Sequence, residues 1–302
     1  MPHRTRRKFL IDAAAASAGI ALTTRPAHAS ALNLPLGLQL YSLHEMLAKD
    51  FAGTLQQVAA LGFREVETAG FYGHSPQQVK AAMTAAALAC VSAHFSADDL
   101  NKSLDEVIAT GHALGLQYII CSFPAIRDPG RLKDPSYRTQ VESFTLDDLR
   151  WNAERFNVWG REIKAAGMQL GYHNHSMEFV AKNGVVPFDE MLRIADPELV
   201  TFELDCGWVI VGGGDPAAYL ERYPQRFSML HVKDFKRPTQ PVNLTDGPPA
   251  AEMGQGTVDF HRIFAAARKA PITHCFVEQE AYDMPPLDAL KIDADYMRKF
   301  RP

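Results

Sequence analysis

From about residue 36 onward, short apolar runs of β-forming residues alternate with longer stretches whose apolar positions recur at helical spacing. The spacing predicts eight strands, at 36–41, 63–67, 90–94, 116–121, from Gly167 into His173, 200–205, 227–233 and 272–279. Between them, helix starts are marked by Ser75-Pro76 with Gln78 three residues on, by Ser96, by Thr145 and by Asp215-Pro216. Further helices are expected from about Val258 and over 287–300. Strict strand–helix alternation implies a parallel sheet with right-handed crossovers. Eight units in this length make a (β/α)8 TIM barrel, occupying 30–302 as one domain, the expected fold. Two long polar segments, 124–144 and 238–256, are expected as loops over the barrel mouth that set specificity.

The runs are apolar on one parity only. Leu38, Leu40, Val66, Val91, Leu170, Phe202, Leu204, Leu230, Val232 and Val277 are expected to face the helices. The other parity carries Gln39 and Tyr41, Glu65 and Glu67, Ser92 and His94, His173 and His175, Glu203 and Asp205, His231 and Lys233, and Glu278 and Glu280. Polar groups thus gather on the barrel interior near the carboxyl ends of the strands, where such barrels do their chemistry. Burying them unpaired costs several kcal/mol each, about 2–7 for a neutral polar group. One divalent cation is the simplest compensation. The expected ligands come one from each of the last four strands: His173, Asp205, His231 and Glu278. Two imidazoles and two carboxylates favour Mn²⁺, Co²⁺, Zn²⁺ or Fe²⁺ over Mg²⁺ or Ca²⁺. Positions left open would admit two substrate oxygens and polarise a carbonyl.

Composition narrows the class. The 302 residues are 47% hydrophobic and 22% charged, with no apolar run long enough to span a membrane. Residues 1–29 read as an export leader: Arg6-Arg7-Lys8-Phe9-Leu10, an alanine-rich apolar stretch, and Ala27-His28-Ala29 before Ser30. The paired arginines resemble a twin-arginine signal and imply a periplasmic or exported protein. The whole chain carries −4 and the leader +4, which leaves −8 on the body. An acidic body argues against nucleic acid as a partner. Cys90, Cys121, Cys206 and Cys275 lie scattered in or beside strands and read as core residues.

The motifs around these positions resemble a known family. Gly-Tyr-His-Asn-His-x-x-Glu-Phe (171–179), Glu-Leu-Asp-x-Gly-Trp (203–208), His-Val-Lys-Asp (231–234), Gly-x-Gly-Thr-Val-Asp-Phe (254–260) and Val-Glu-Gln-Glu (277–280) are similar to those of the xylose isomerase-like TIM barrels. That superfamily holds sugar phosphate isomerases and epimerases, inosose dehydratase, hydroxypyruvate isomerase and endonuclease IV. The resemblance implies a metal-dependent enzyme acting on a small carbohydrate. In its ketose epimerases, a glutamate ending strand five and another ending strand eight bind the metal and serve as paired acid/base groups. Glu278 matches the second, whereas His173 stands in place of the first. The acid/base work then falls to His175, Lys233 and Glu280, with Tyr41, Glu67, His94 and Trp208 near the substrate. Proton abstraction beside a carbonyl would end in isomerisation or epimerisation; expulsion of a β-substituent would instead give a lyase or dehydratase. A strand-five His-x-His resembles the dehydratase and keto-sugar lyase branches more than the epimerases. An endonuclease IV-like phosphodiesterase fits the charge poorly, and a periplasmic sugar-binding barrel would have no need of all four ligands.

Overall fold

The computed structural model describes residues 31–134, 136–239 and 243–301; the expected leader lies outside them. The elements follow in chain order. β1 (Gly37–Gln39) is followed by α1 (His44–Lys49) and α2 (Phe51–Ala60), then β2 (Glu65–Thr68) by α3 (Pro76–Ala85). β3 (Ala89–Ser96) leads to α4 (Ala97–Leu114), and β4 (Tyr118–Phe123) to α5 (Tyr137–Ser143) and α6 (Leu146–Ala165). β5 (Gln169–His173) precedes α7 (Pro187–Ile194), and β6 (Val200–Asp205) precedes α8 (Cys206–Val211) and α9 (Pro216–Arg222). β7 (Phe227–Val232) runs on to β8 (Asp234–Phe235), β9 (Ala250–Ala251) and α10 (Phe260–Ala267); β10 (His274–Val277) and α11 (Pro286–Lys299) close the chain.

β1 to β7 and β10 form a closed barrel in sequence order, each strand parallel to its neighbours, while β8 and β9 make a separate antiparallel pair. This is the expected (β/α)8 barrel. The capping residues act as their types dictate. Ser75 with Gln78, Ser96 with Asp99 and Thr145 with Asp148 each form reciprocal capping boxes, so three crossover helices start at fixed points. Between strands and helices lies one apolar layer that includes Leu38, Val66, Leu170, Phe202, Leu204, Leu230, Val232 and Val277, all fully buried. Each large side chain removed from water there contributes about 1.5–3 kcal/mol.

Inside the barrel the floor is a small apolar plug of Val91, Ile120, Met229 and Phe276. Val91 was expected on the helix side. The register between β2 and β3 steps from Val66–Cys90 to Glu67–Ser92, and this bulge leaves Val91 unpaired and packed with the interior set. The plug explains Gly171 on β5: a Cβ there would meet Ile120 Cδ1 at 2.6 Å. Glu65 lies on the interior parity but pairs with His274 at 2.9 Å, away from the mouth group.

The two long segments are not bare loops. The 124–144 stretch contains α5, opened by the Ser136 side chain on Thr139 N–H. The 238–256 stretch contains β9, which folds back on β8. Asp234 holds its base: its carboxylate accepts from the amides of Phe235, Gly254, Gly256 and Val258 at 2.9–3.0 Å. Arg138 of α5 reaches Asp246 at 3.0 Å, so the two segments meet above the barrel. The four cysteines are buried as unpaired thiols, as expected of core residues. Among the described residues no helix is long and apolar enough to cross a membrane.

Candidate active site and metal centre

Above the apolar plug sits a polar layer. Glu67, Glu203, Asp205 and Glu278 face His94, His173, His231 and Lys233, and all but His94 are less than a tenth exposed. Gln39 Nε2 donates to Glu67 at 2.6 Å. His94 Nε2 lies 2.7 Å from Glu67 and 3.0 Å from Glu203, and His231 Nε2 lies 2.8 Å and 3.2 Å from the same two carboxylates. His173 Nδ1 is 3.0 Å from Glu203. Glu67 and Glu203 therefore form a lower carboxylate pair that orients three imidazoles.

Those bonds decide what the imidazoles present upward. With Nδ1 of His173 and Nε2 of His231 engaged below, His173 turns Nε2, and His231 turns Nδ1, toward Asp205. His231 Nδ1 lies 3.4 Å from Glu278 Oε2 and 3.7 Å from Asp205 Oδ2; His173 Nε2 lies 4.0 Å from Asp205 Oδ2. Asp205 is itself fixed at the start of α8, where its Oδ1 accepts from Trp208 N at 2.7 Å and leaves Oδ2 inward. Asn174 adds a second tie: its Oδ1 accepts from Asp205 N at 3.1 Å and its Nδ2 donates to Asp205 O at 3.2 Å.

The donor set fits a divalent cation. Asp205 Oδ2, His231 Nδ1 and Glu278 Oε2 lie buried within 4.8 Å of one another, with the Lys233 ammonium against both carboxylate oxygens. Bonds of about 2.0–2.2 Å around one ion place neighbouring donors roughly 3–3.5 Å apart, close to the spacings found here. Carboxylates behind both imidazoles are the arrangement that orients histidine ligands. His173, the expected fourth ligand, reaches Asp205 but groups more closely with His94, Glu203 and His231.

Lys233 shares this space. Its ammonium lies 3.0 Å from Asp205, 2.5 Å from Glu278 and 2.6 Å from Glu280. Burial opposes the charge on Lys233 and His231, yet the surrounding carboxylates prevail and raise both well above their ordinary values. Burial also opposes charge on His94, which Glu67 and Glu203 nonetheless raise to about 9. A cation entering the site must displace the proton on His231 Nδ1 and share the carboxylates with Lys233.

Over this layer opens a cavity of about 390 Å³, walled by Tyr41, His94, Phe123, Tyr137, His173, His175, Trp208, Glu278 and Glu280 among others. His175 is ringed by Phe123, Tyr137 and Trp208, with centroids at 5.5, 6.2 and 5.8 Å. Its Nδ1 has no hydrogen-bond partner. Burial, aided by His173 and Lys233, keeps its ring uncharged well below the usual histidine range.

Of the sequence candidates, Tyr41, His94, His173, His175, Trp208, Glu278 and Glu280 line this cavity. Asp205 and His231 lie in the layer beneath, and Lys233 between the two carboxylates. Glu67 is the exception. It was expected near the substrate, but it is fully buried under His94 and His231 and does not reach the cavity. Glu178 is a loop anchor: buried, it accepts from Tyr172 Oη and from His175 N. Burial raises its carboxyl to about 7 despite those bonds. Sequence reasoning missed Asn174, Phe123 and Tyr137. Asn174 stood within the His-Asn-His motif; Tyr137 announced itself only through the Ser136 cap before it.

Comparison with known proteins agrees with this fold. The family model described as xylose isomerase-like TIM barrel matches residues 55–300. An inosose dehydratase of Lacticaseibacillus casei is 26% identical over 194 residues, covering 62% of this chain and 64% of that protein, less than two thirds of its length. An inosose dehydratase of Clostridium botulinum (strain Alaska E43 / Type E3) is 25% identical over 232 residues, 71% of this chain and 76% of that protein. The crystal structure of a sugar phosphate isomerase/epimerase from Parabacteroides distasonis ATCC 8503 superposes with a TM-score of 0.69 at 28% identity, covering 88% of this chain and 98% of that one. With the barrel, the polar layer and these matches in agreement, the chain belongs to the xylose isomerase-like TIM barrel family.

Proposed function

We propose that this protein is a lyase acting on a cyclic keto-sugar, of which a 3-keto-glycoside is the leading type. The observation that carries the reading is the division of labour at the end of β5. His173 has one nitrogen engaged by Glu203 and the other turned toward Asp205, so it has none left for a substrate proton. His175, two residues on, lines the cavity, and its Nδ1 is buried without a hydrogen-bond partner. Relatives named for removing water, the inosose dehydratases, support elimination.

A divalent cation held by Asp205, His231 and Glu278, with His173 beside them, would supply Lewis-acid polarisation of the substrate carbonyl. Mn²⁺, Co²⁺, Zn²⁺ or Fe²⁺ suits this mixed donor set better than Mg²⁺. His175 takes the proton from the carbon next to the ketone. The electrons of that C–H bond become a C=C bond as the β-positioned C–O bond breaks. The departing oxygen receives its proton from the Lys233–Glu280 pair, and the products are an unsaturated ketone and an alcohol. Tyr41 and Trp208 offer flat faces for the sugar ring.

Isomerisation or epimerisation is the second reading, favoured by the Parabacteroides structure and by Glu280, which lines the same cavity as His175 and could return a proton. The export leader adds a periplasmic setting, testable by cell fractionation with and without Arg6→Lys and Arg7→Lys.

The two chemistries separate on one substrate. Protein loaded with Mn²⁺ or Co²⁺ is incubated in D₂O with methyl 3-keto-β-glucoside and followed by NMR. Elimination releases methanol and an unsaturated ketone. Deuterium at the carbon beside the ketone, with the methyl group retained, would overturn the lyase in favour of the isomerase.

A further inference from the structure

The cavity over the polar layer has a neighbour. A second cavity of about 290 Å³ shares Trp208 and Glu280 with it as a common wall. Its other side is formed by Phe235, Pro248, Pro249 and Ala250, an apolar surface built on the β8–β9 pair and the turn before it. Lys233 lines it at the common wall, 2.6 Å from Glu280 and 5.1 Å from the Trp208 ring centroid.

One polar group in this lining stands without a partner. Gln279 is 4% exposed; its Nε2 donates to Ala281 O at 3.0 Å, while its buried Oε1 accepts nothing. A buried acceptor left bare costs roughly 1–3 kcal/mol unless a ligand donor meets it. The cavity therefore suits a molecule with an apolar face and at least one hydroxyl. Two chambers divided by an aromatic ring and an ion pair also match a substrate of two parts joined by a breakable bond.

We propose that the second cavity is the leaving-group subsite: it holds the alcohol expelled from the keto-sugar, a ring-sized group bearing a hydroxyl. This rests on the lyase reading and specifies its substrate as a glycoside with a bulky aglycone. The sugar ring lies in the first cavity, and its C–O bond to the aglycone crosses the wall at Glu280 and Lys233. The apolar face of the departing group packs on Trp208 and Phe235, and its hydroxyl donates to Gln279 Oε1. Aryl alcohols and second sugars share this chemistry.

The test compares methyl 3-keto-β-glucoside with 4-nitrophenyl 3-keto-β-glucoside and a 3-keto-disaccharide. Wild type, Ala250→Trp and Ala281→Trp are all loaded with Mn²⁺ and checked for folding by thermal melting. Wild type is expected to favour a bulky substrate over the methyl one by about tenfold or more in kcat/KM. Filling the second cavity should erase that preference, and the preferred substrate tells aryl from sugar. Equal slowing of all three substrates, or no slowing, would overturn the subsite. If wild type cleaves no glycoside, the lyase reading fails, and calorimetry with 4-nitrophenol and with glucose still decides the cavity. Binding of either by wild type that is lost in Ala281→Trp supports an alcohol site; no binding by wild type overturns it.

Discussion

His173 and Glu203 sit opposite one another on β5 and β6, joined by a 3.0 Å contact from Nδ1 to the carboxylate. That contact chooses the nitrogen with which His173 faces Asp205. Glu203 also lies 3.2 Å from His231, so one buried carboxylate orients two candidate metal ligands. Glu203→Gln keeps the shape and removes the charge. Mn²⁺ affinity, measured by titration calorimetry, should fall about 10–100-fold. Unchanged affinity would place the cation elsewhere.

His175 lies outside both groups of candidate ligands but stands in the same cavity. His175→Asn should lower turnover of a keto-sugar by about 10²–10⁴-fold, the usual range for loss of a positioned base. Its Mn²⁺ content should stay at the wild-type level. Loss of metal together with activity would make His175 a ligand instead of the base.

Gly207 follows Asp205 by two residues at the start of α8, and a Cβ there would lie 2.4 Å from Cγ of Lys233. Its glycine is what lets the Lys233 stem pass to Asp205, Glu278 and Glu280. Gly207→Ala should destabilise the fold by about 1–3 kcal/mol through overpacking. Urea unfolding measures that loss, and an unchanged midpoint would show that Lys233 can shift freely.

The strand ends were legible because the polar parity is a period-two signal that survives errors in strand boundaries. Gln39, Glu67, His94, His173, Glu203, Asp205, His231, Lys233 and Glu278 all lie in or on the polar layer. Depth was not legible: alternation says that Glu67 points inward, but not that His94 and His231 roof it over. Val91 was misplaced because a bulge shifts the period by one residue, and nothing local in Cys90-Val91-Ser92 announces it. Tyr137, Pro248 and Pro249 come from long connections whose side chains meet the barrel only through tertiary packing, so their sequence carries no periodicity to read.

Asp293 on α11 offers a test away from the site. Its Oδ1 accepts from Met253 N at 2.7 Å while its Oδ2 is buried without a partner. Burial, with Glu252 and Asp234 nearby, raises its carboxyl to about 7. An unfolded aspartate titrates near 3.9. Below about pH 4 both states hold the proton and Asp293 costs nothing. Between about pH 4 and 7 only the folded chain keeps it, so stability falls as pH rises, by roughly 4 kcal/mol at most, and then levels off. Asp293→Asn should remove this slope and raise the melting temperature at pH 8 far more than at pH 4. Equal melting temperatures for the two proteins at pH 8 would refute the buried, reluctant charge.

The four amides that close on Asp234 secure both ends of the segment between Phe235 and Ala250 to the barrel rim. Beyond that clamp, the described residues of the stretch reach the rest of the fold through Asp246, paired with Arg138 of α5, and through Leu244, whose carbonyl accepts from Ser176 Oγ. Descendants of this chain can lengthen, shorten or rewrite it without re-registering a single barrel strand. A rim of this kind behaves as a socket for interchangeable inserts, so the surface over the cavity can change while the polar layer beneath stays fixed.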